Sequence, residues 1–324
     1  MEEEGGLRRI NYLRMSITDR CNLRCVYCTY WQEWKKLPST EILRYEELLR
    51  LAAVAAEAGI RKIRVTGGEP LARRGVLGFL HSLNQVPGIE EVCLTTNGIM
   101  LLELAPALYE TGLRHLNLSL DTLRPERYRK ITGRNKWREV MAGLESALSL
   151  GFQPLKINCV ALQGINDDEL VDLALLARDY PLQIRFIELM PSVSRGWWDR
   201  HFLPLSEVRR RLAVLGFPRP APRQASAGPA QVFRLPGFKG ELGFISPISE
   251  HHCRTCNRLR LTAAGQLRPC LAGLLELDIK GPLRRGAADP WLFHVFEEAI
   301  QSKNRDWRIP LRRCTFPAMA GMGG

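Results

Sequence analysis

Three cysteines stand within eight residues in the stretch CNLRCVYC, as Cys21, Cys25 and Cys28. A closed zinc site takes four protein ligands, and nothing near this stretch supplies the fourth. Three thiolates suit a [4Fe-4S] cluster that leaves one iron open to a small molecule. A zinc site or a set of redox thiols competes, and spacing alone leaves that contest even. A second triad, Cys253, Cys256 and Cys270, lies in HHCRTCNRLRLTAAGQLRPCL. Here His251 or His252 would complete a Cys3His site, and on spacing alone zinc comes first. The segment NRLRLT argues the other way. In a strand of period two, Arg258 and Arg260 share one face and Leu259 and Leu261 the other, and two guanidinium forks beside a metal make a clamp for phosphate oxygens.

The first candidate strand repeats the device, with Tyr12, Arg14, Ser16 and Thr18 alternating against Leu13, Met15 and Ile17. Arg14 therefore points inward with the polar set at the mouth of the fold, and Arg64 and Lys156 add positive charge to the same face. So many converging cations suit a triphosphate. Neither a G-x4-GK[ST] loop nor a G-x-G-x2-G turn is present, so a nucleotide here is substrate and not fuel.

The elements that must position these residues read as repeated βα units from Ile10 to about Met190. The strands are INYLRMSIT, KIRVTG, EVCLTTN, RHLNLSL, PLKINCV and LQIRFIEL; helical stretches include ILRYEELLRLAAVAAEAG, TLRPERYRKI and DDELVDLALLARDY. Six units predict an incomplete parallel barrel. The strand ends gather Gly68, Glu69, Thr95, Asn97, Ser119, Asp121 and Glu188 where such a barrel places its site. Past Pro191 the rhythm fails: SRGWWDRHF reads as a loop, and FPRPAPRQASAGPA marks a change of domain between about residues 195 and 245. The expected division is 1–195 and 196–324. Cys93 and Cys159 sit in apolar strands as packing residues, and Cys314 has no evident partner.

With 324 residues, 45% of them hydrophobic, the chain can bury a large core. The acidic start and the charges within the longest apolar run predict neither export nor a membrane span, hence a cytoplasmic protein. Clustered cysteines in a reducing compartment favour metal over disulfides. The net charge of +12 suits a polyanionic ligand; a zinc-containing RNA-binding protein is the reading from a different class.

C-x3-C-x2-C with an aromatic before the last cysteine, followed by TGGEP, resembles the radical S-adenosylmethionine superfamily. With LTTNG, LNLSLD, KINCVALQGINDDE, RFIELMP, the second triad and the terminal GG, nearly the whole chain resembles the GTP 3′,8-cyclases of molybdenum-cofactor biosynthesis. The resemblance implies an α/β fold: a partial (β/α)6 TIM-like barrel with its open side covered by a C-terminal α+β domain that carries a second cluster. It implies a lyase with two [4Fe-4S] clusters, on Cys21, Cys25 and Cys28 and on Cys253, Cys256 and Cys270. S-adenosylmethionine is implied at Tyr27, Gly68, Ser119 and Met190, and GTP at Arg14, Arg64, Thr95, Lys156, Arg258 and Arg260. The implied reaction takes hydrogen from C3′ of the ribose and joins that carbon to C8 of guanine. Arg14, Arg258, Arg260 and the tail glycines Gly323 and Gly324 are its implied catalytic set. A homodimer and a downstream cyclic pyranopterin monophosphate synthase are the implied partners, with no nucleic acid. Thr29, Tyr30 and Trp31 depart from the usual Met-Pro, and Gly75 replaces an acidic residue. The rival within the superfamily is an enzyme with an auxiliary cluster acting on a peptide or nucleic acid.

Overall fold

The structure, a computed structural model, describes residues 9–28, 36–222, 228–250 and 253–305. His251, His252, Thr29 to Trp31, Cys314, Gly323 and Gly324 lie outside the described residues. Twelve strands among these form one sheet: β1 (Tyr12–Ser16), β2 (Lys62–Thr66), β3 (Glu91–Thr96), β4 (His115–Ser119), β5 (Leu155–Ala161), β6 (Leu182–Glu188), β7 (Arg219–Pro220), β8 (Gln231–Arg234), β9 (Glu241–Ile245), β10 (Arg258–Leu261), β11 (Gln266–Arg268) and β12 (Leu277–Asp278). The helices are α1 (Tyr45–Glu57), α2 (Val76–Asn84), α3 (Leu101–Glu110), α4 (Pro125–Thr132), α5 (Trp137–Ser149), α6 (Leu170–Asp179), α7 (Arg195–His201), α8 (Leu205–Leu212), α9 (Lys280–Arg284) and α10 (Asp289–Arg305). None is long and apolar enough to cross a membrane.

The six expected strands pair in parallel and in sequence, β1 through β6. The helices between them form as their patterns require. In α1, Leu48, Leu51, Ala52 and Ala55 recur at helical spacing and are buried; Glu47 caps its start by accepting the Arg44 amide at 2.6 Å. The outer strand face, with Leu13, Met15, Ile63, Val65 and Leu94, joins this helical layer in one core.

The inner face is different. A closed barrel fills its interior with branched aliphatic layers, but β2 is buried along its whole length with Lys62 and Arg64 alternating against Ile63 and Val65. The interior is therefore polar by construction of the strand period.

The C-terminal region extends the sheet at both edges. β9 pairs in parallel with β6 at one edge, and β10 pairs in parallel with β1 at the other. The antiparallel strands β8–β7 and β11–β12 lie outside them. Polar contacts fasten both edges. On the β1 side, Arg284 Nε reaches the buried Glu47 at 2.8 Å and Arg50 Nε reaches Asp289 at 2.7 Å. On the β6 side, Glu188 accepts the amides of Leu205, Ile248 and Ser249 at 3.0–3.1 Å.

One local expectation fails: SRGWWDRHF contains the helix α7. An Arg195–Asp199 pair at 3.3 Å spans one turn. Trp198 stacks on Phe202 at 4.5 Å and donates to the Leu189 carbonyl at 3.0 Å. These side-chain contacts compensate for the glycine, which weakens helix propensity.

Candidate active site

A cavity of about 320 Å³ runs inside the strands. At the C-terminal strand ends its wall is the loop that carries the first triad. Gly68 and Glu69 donate their amides to the carbonyls of Thr18 and Arg20 at 2.7 and 2.8 Å, which zips the TGGEP turn to the segment entering Cys21. Only glycine permits this approach, since a Cβ on residue 68 would overlap the Arg20 carbonyl. Gly68→Ala is therefore expected to cost about 1–3 kcal/mol, read as a lowered midpoint in thermal unfolding; an unchanged midpoint would show that the segments separate freely.

Glu69 then fixes the neighbouring strand end. It accepts the amides of Leu71 at 3.0 Å and Asn97 at 2.7 Å, and the Thr96 hydroxyl at 2.8 Å. Asn97 in turn donates to Asn22 at 2.7 Å and to Cys21 Sγ at 3.8 Å. The rest of the loop lies along α4, where Arg24 and Val26 donate to Thr132 and Ile131. Tyr27 donates its hydroxyl to Asp121 at 2.6 Å, and its carbonyl accepts the Ser192 hydroxyl at 3.2 Å. The Ser192 amide donates to the Met190 carbonyl. Tyr27, Ser119, Asp121 and Met190 thus surround one end of the cavity with Gly68 and the cysteines.

This end is electronegative. Burial, and then the neighbouring Cys28, Asp121 and Cys21, push the Cys25 thiol well up. Burial holds the Asp121 carboxyl at about 6 and that of Glu69 at about 7. Thiolates here require a compensating cation.

The middle of the cavity is cationic. Strand register places Arg260, Arg14 and Arg64 side by side on β10, β1 and β2, an arrangement that destabilises a sheet unless an anion offsets it. Burial, followed by repulsion from Arg260, takes Arg14 well below its ordinary value. Burial and then Arg258 bring Arg260 to about 10. Within this row Arg64 Nε donates to the Tyr12 hydroxyl at 2.5 Å, and Arg64 Nη1 lies 3.5 Å from Thr95 Oγ1 on β3. Lys156 falls to about 7, through burial and then the charges of Arg185, Arg64 and Lys62. Two acceptors on this lining, Asn117 Oδ1 and Asn158 Oδ1, are buried with no partner among the described residues.

The second triad lies at the other end. Tyr12, the first residue of β1, pairs with Arg258 and donates its amide to the Asn257 carbonyl, so Cys256 precedes the start of a strand. Cys270 follows β11, which runs back antiparallel to β10. The expectation that Arg14 lies at the mouth is corrected accordingly. The first triad is at the mouth, Arg14 is halfway down, and the second triad is at the N-terminal strand ends. Its surroundings are electropositive: burial works upward on Cys256, but Arg258 at 3.9 Å and Lys303 outweigh it and hold the thiol at about 6.

Each triad offers three part-buried thiols, the donor set of a [4Fe-4S] cluster with one open iron. None of the eight described cysteines is in a disulfide.

Every implied S-adenosylmethionine and GTP contact, with the first triad, lines the one cavity. Sequence reasoning missed Lys62, Arg185, Asn117 and Asn158, which line it too. Lys62 is two residues before Arg64, and Arg185 alternates with buried Ile184 and Phe186, so strand period was the available signal. Glu69, Asp121 and Glu188 were legible as polar strand ends, but not as acceptors of backbone amides. Cys93 and Cys159 are buried as expected, though both have polar neighbours: Glu91 for Cys93 and Asn166 for Cys159.

A parallel barrel whose first strand runs into C-x3-C-x2-C, zipped to a glycine turn beneath it, defines a radical S-adenosylmethionine protein. The Radical SAM superfamily profile matches residues 15–177, and the Molybdenum Cofactor Synthesis C profile matches residues 182–309. The chain belongs to the GTP 3′,8-cyclase family. It is 48% identical over 323 residues to the GTP 3′,8-cyclase of Moorella thermoacetica, covering 98% of each chain. It is 46% identical over 301 residues to that of Heliobacterium modesticaldum, covering 91% of each. Its fold is similar to that of Streptococcus suis SuiB bound to S-adenosylmethionine, with a TM-score of 0.60 and 15% identity over 89% of this chain and 68% of that one.

Proposed function

We propose that this chain is a radical S-adenosylmethionine lyase that converts GTP to 3′,8-cyclo-7,8-dihydro-GTP, the first step of molybdenum-cofactor biosynthesis. The observation that carries this reading is a single cavity with a cation-lined middle, lined at its mouth by the first cysteine triad and further down by Arg258, which donates to Cys256 of the second. In this reading Cys21, Cys25 and Cys28 hold one [4Fe-4S] cluster and Cys253, Cys256 and Cys270 the other. S-adenosylmethionine lies against Tyr27, Gly68, Ser119 and Met190. The triphosphate lies against Arg14, Arg64, Thr95, Lys156, Arg258 and Arg260, to which we add Lys62 and Arg185. When bound, the first cluster and S-adenosylmethionine supply an electron and a 5′-deoxyadenosyl radical that takes hydrogen from C3′ of the ribose.

The residues of this chain do the rest by placement. Asp121 and Glu69 give the mouth the negative charge that suits a sulfonium, and Asp121 orients the Tyr27 ring. The arginine row gives the middle the positive charge that suits a triphosphate. A ligand gripped by its phosphates has little freedom left at its ribose, which is how binding energy becomes rate. The Glu188 latch holds the wall segment around Pro247 against β6 and keeps water from the reaction. We extend the proposal to Gly323 and Gly324 as part of the catalytic set, to residues 1–195 as the radical S-adenosylmethionine barrel and 196–324 as a C-terminal domain with the second cluster and the GG tail, and to a cytoplasmic homodimer. Its product passes to a cyclic pyranopterin monophosphate synthase, and no nucleic acid is bound.

Anaerobic protein with both clusters, dithionite, S-adenosylmethionine and GTP should give 5′-deoxyadenosine in step with loss of GTP. Deoxyadenosine without change in GTP would refute the substrate.

Lys156 adds a pH test. Free, it titrates near 7; beside a triphosphate its protonated form is favoured, so binding takes up a proton above that pH. GTP affinity should then fall by up to ~10-fold per unit as pH rises from about 7. Calorimetry at several pH values should show a flatter slope for Lys156→Arg, whose charge does not titrate there. Equal slopes would overturn the assignment, and the triphosphate's own titration cancels in the comparison.

A further inference from the structure

A group at the N-terminal end of the barrel is unused by the reaction above. Glu91 and Cys93 lie on one face of β3, and register sets Cys93 opposite His115 on β4. The carboxylate oxygen Glu91 Oε1 is 3.0 Å from Cys93 Sγ and 2.6 Å from Lys62 Nζ, and it also contacts His115 Nδ1. Among the described residues this is the group of three whose thiol, imidazole and carboxylate ligand atoms all lie within 4.8 Å of one another.

We propose that Glu91, Cys93 and His115 form a zinc site that ties β3 to β4 beneath the substrate cavity, with water as fourth ligand. Water reaches it where the His115 side chain is 31% exposed; Cys93 is fully buried. Bonds of ~2.0–2.3 Å put tetrahedral ligand atoms about 3.3–3.8 Å apart, so closing on a metal needs only small side-chain movements on two strands whose register is already fixed. The donors also select the metal. Sulfur and imidazole nitrogen favour zinc and disfavour magnesium or calcium.

Lys62 does not exclude the ion, because Glu91 has a second oxygen and can serve both. Charge balances as well. Without metal the group carries one carboxylate and, when His115 is protonated, one imidazolium, for a net charge of zero. With Zn²⁺, the thiolate and carboxylate offset the two positive charges and the imidazole is neutral, again zero. Binding therefore releases the Cys93 proton and that of His115 and adds no net charge to a wall already rich in cations.

The test uses the full chain, anaerobic, with both iron–sulfur clusters assembled. One equivalent of zinc sulfate is added, the protein is desalted, and zinc and iron are counted by plasma mass spectrometry. About one zinc per chain, with iron unchanged, is expected for the wild type. Retention lower by more than ~10-fold is expected for Cys93→Ala and for His115→Gln, each read separately in case one fails to fold. Three results overturn the site: no zinc on the wild type, equal zinc on the variants, or zinc gained only as iron is lost, which would place it at the cluster cysteines.

Discussion

Cys25→Ala is expected to lose about four of eight irons per chain and to stop 5′-deoxyadenosine formation altogether. Cys256→Ala is expected to lose a similar share of iron yet still form deoxyadenosine, now without consuming GTP. The two variants separate because the triads lie at opposite ends of the barrel in opposite fields. Cys25 sits in negative surroundings, where burial, Cys28, Asp121 and Cys21 push its thiol well up. A cluster there is held by few favourable contacts besides its thiolates, and losing one of three opens a second iron. Cys256 sits beside Arg258 and Lys303, which hold it at about 6. Iron analysis and chromatography of nucleosides on the same samples check both. Deoxyadenosine surviving in Cys25→Ala but lost in Cys256→Ala would reverse the assignment of the two ends.

Arg14→Met is expected to raise the unfolding temperature of the ligand-free protein while weakening GTP binding by ~10- to 100-fold. Arg14 lies part-buried between Arg260 and Arg64 in the register, and desolvation and then repulsion from Arg260 depress its pKa well below the ordinary value. Removing the middle charge relieves the row, and methionine fills similar volume at little packing cost. A charge-assisted hydrogen bond to phosphate contributes about 1.5–3 kcal/mol, which sets the loss of affinity. Scanning calorimetry without nucleotide and titration calorimetry with GTP give the two signs independently. Destabilisation of the ligand-free protein with unchanged affinity would mean that Arg14 serves the fold and not the ligand. A protein that stores repulsion at its binding site and relieves it on binding shows the usual trade of stability for function.

Much of the site is legible before folding is considered. Tyr12, Arg14 and Ser16 against Leu13, Met15 and Ile17 is a statement about faces, because successive strand residues point to opposite sides. The same holds for Arg258 and Arg260. The six parallel strands and their helices follow from two periods, and the glycine turn at Gly68 marks a close approach. Where local pattern misled, a specific contact won: α7 forms because Trp198 finds Phe202 and the Leu189 carbonyl.

The chain alone therefore determined which residue types face inward, how many thiols each metal centre has, and that the interior is basic, since all three depend on spacing along a few residues. Only the tertiary structure decided where the second triad goes. β9 and β10 are separated by one loop in sequence yet pair at opposite edges of the sheet, and that choice depends on long-range burial and hydrogen bonding that no local period encodes. Pairing of the inner strands makes Lys62 and Arg185 part of the cavity, and the β3–β4 register brings Cys93 within reach of His115. Tertiary structure also turns Glu69, Asp121 and Glu188 into acceptors of backbone amides, because a buried carboxylate must find donors and most of these belong to other strands and loops.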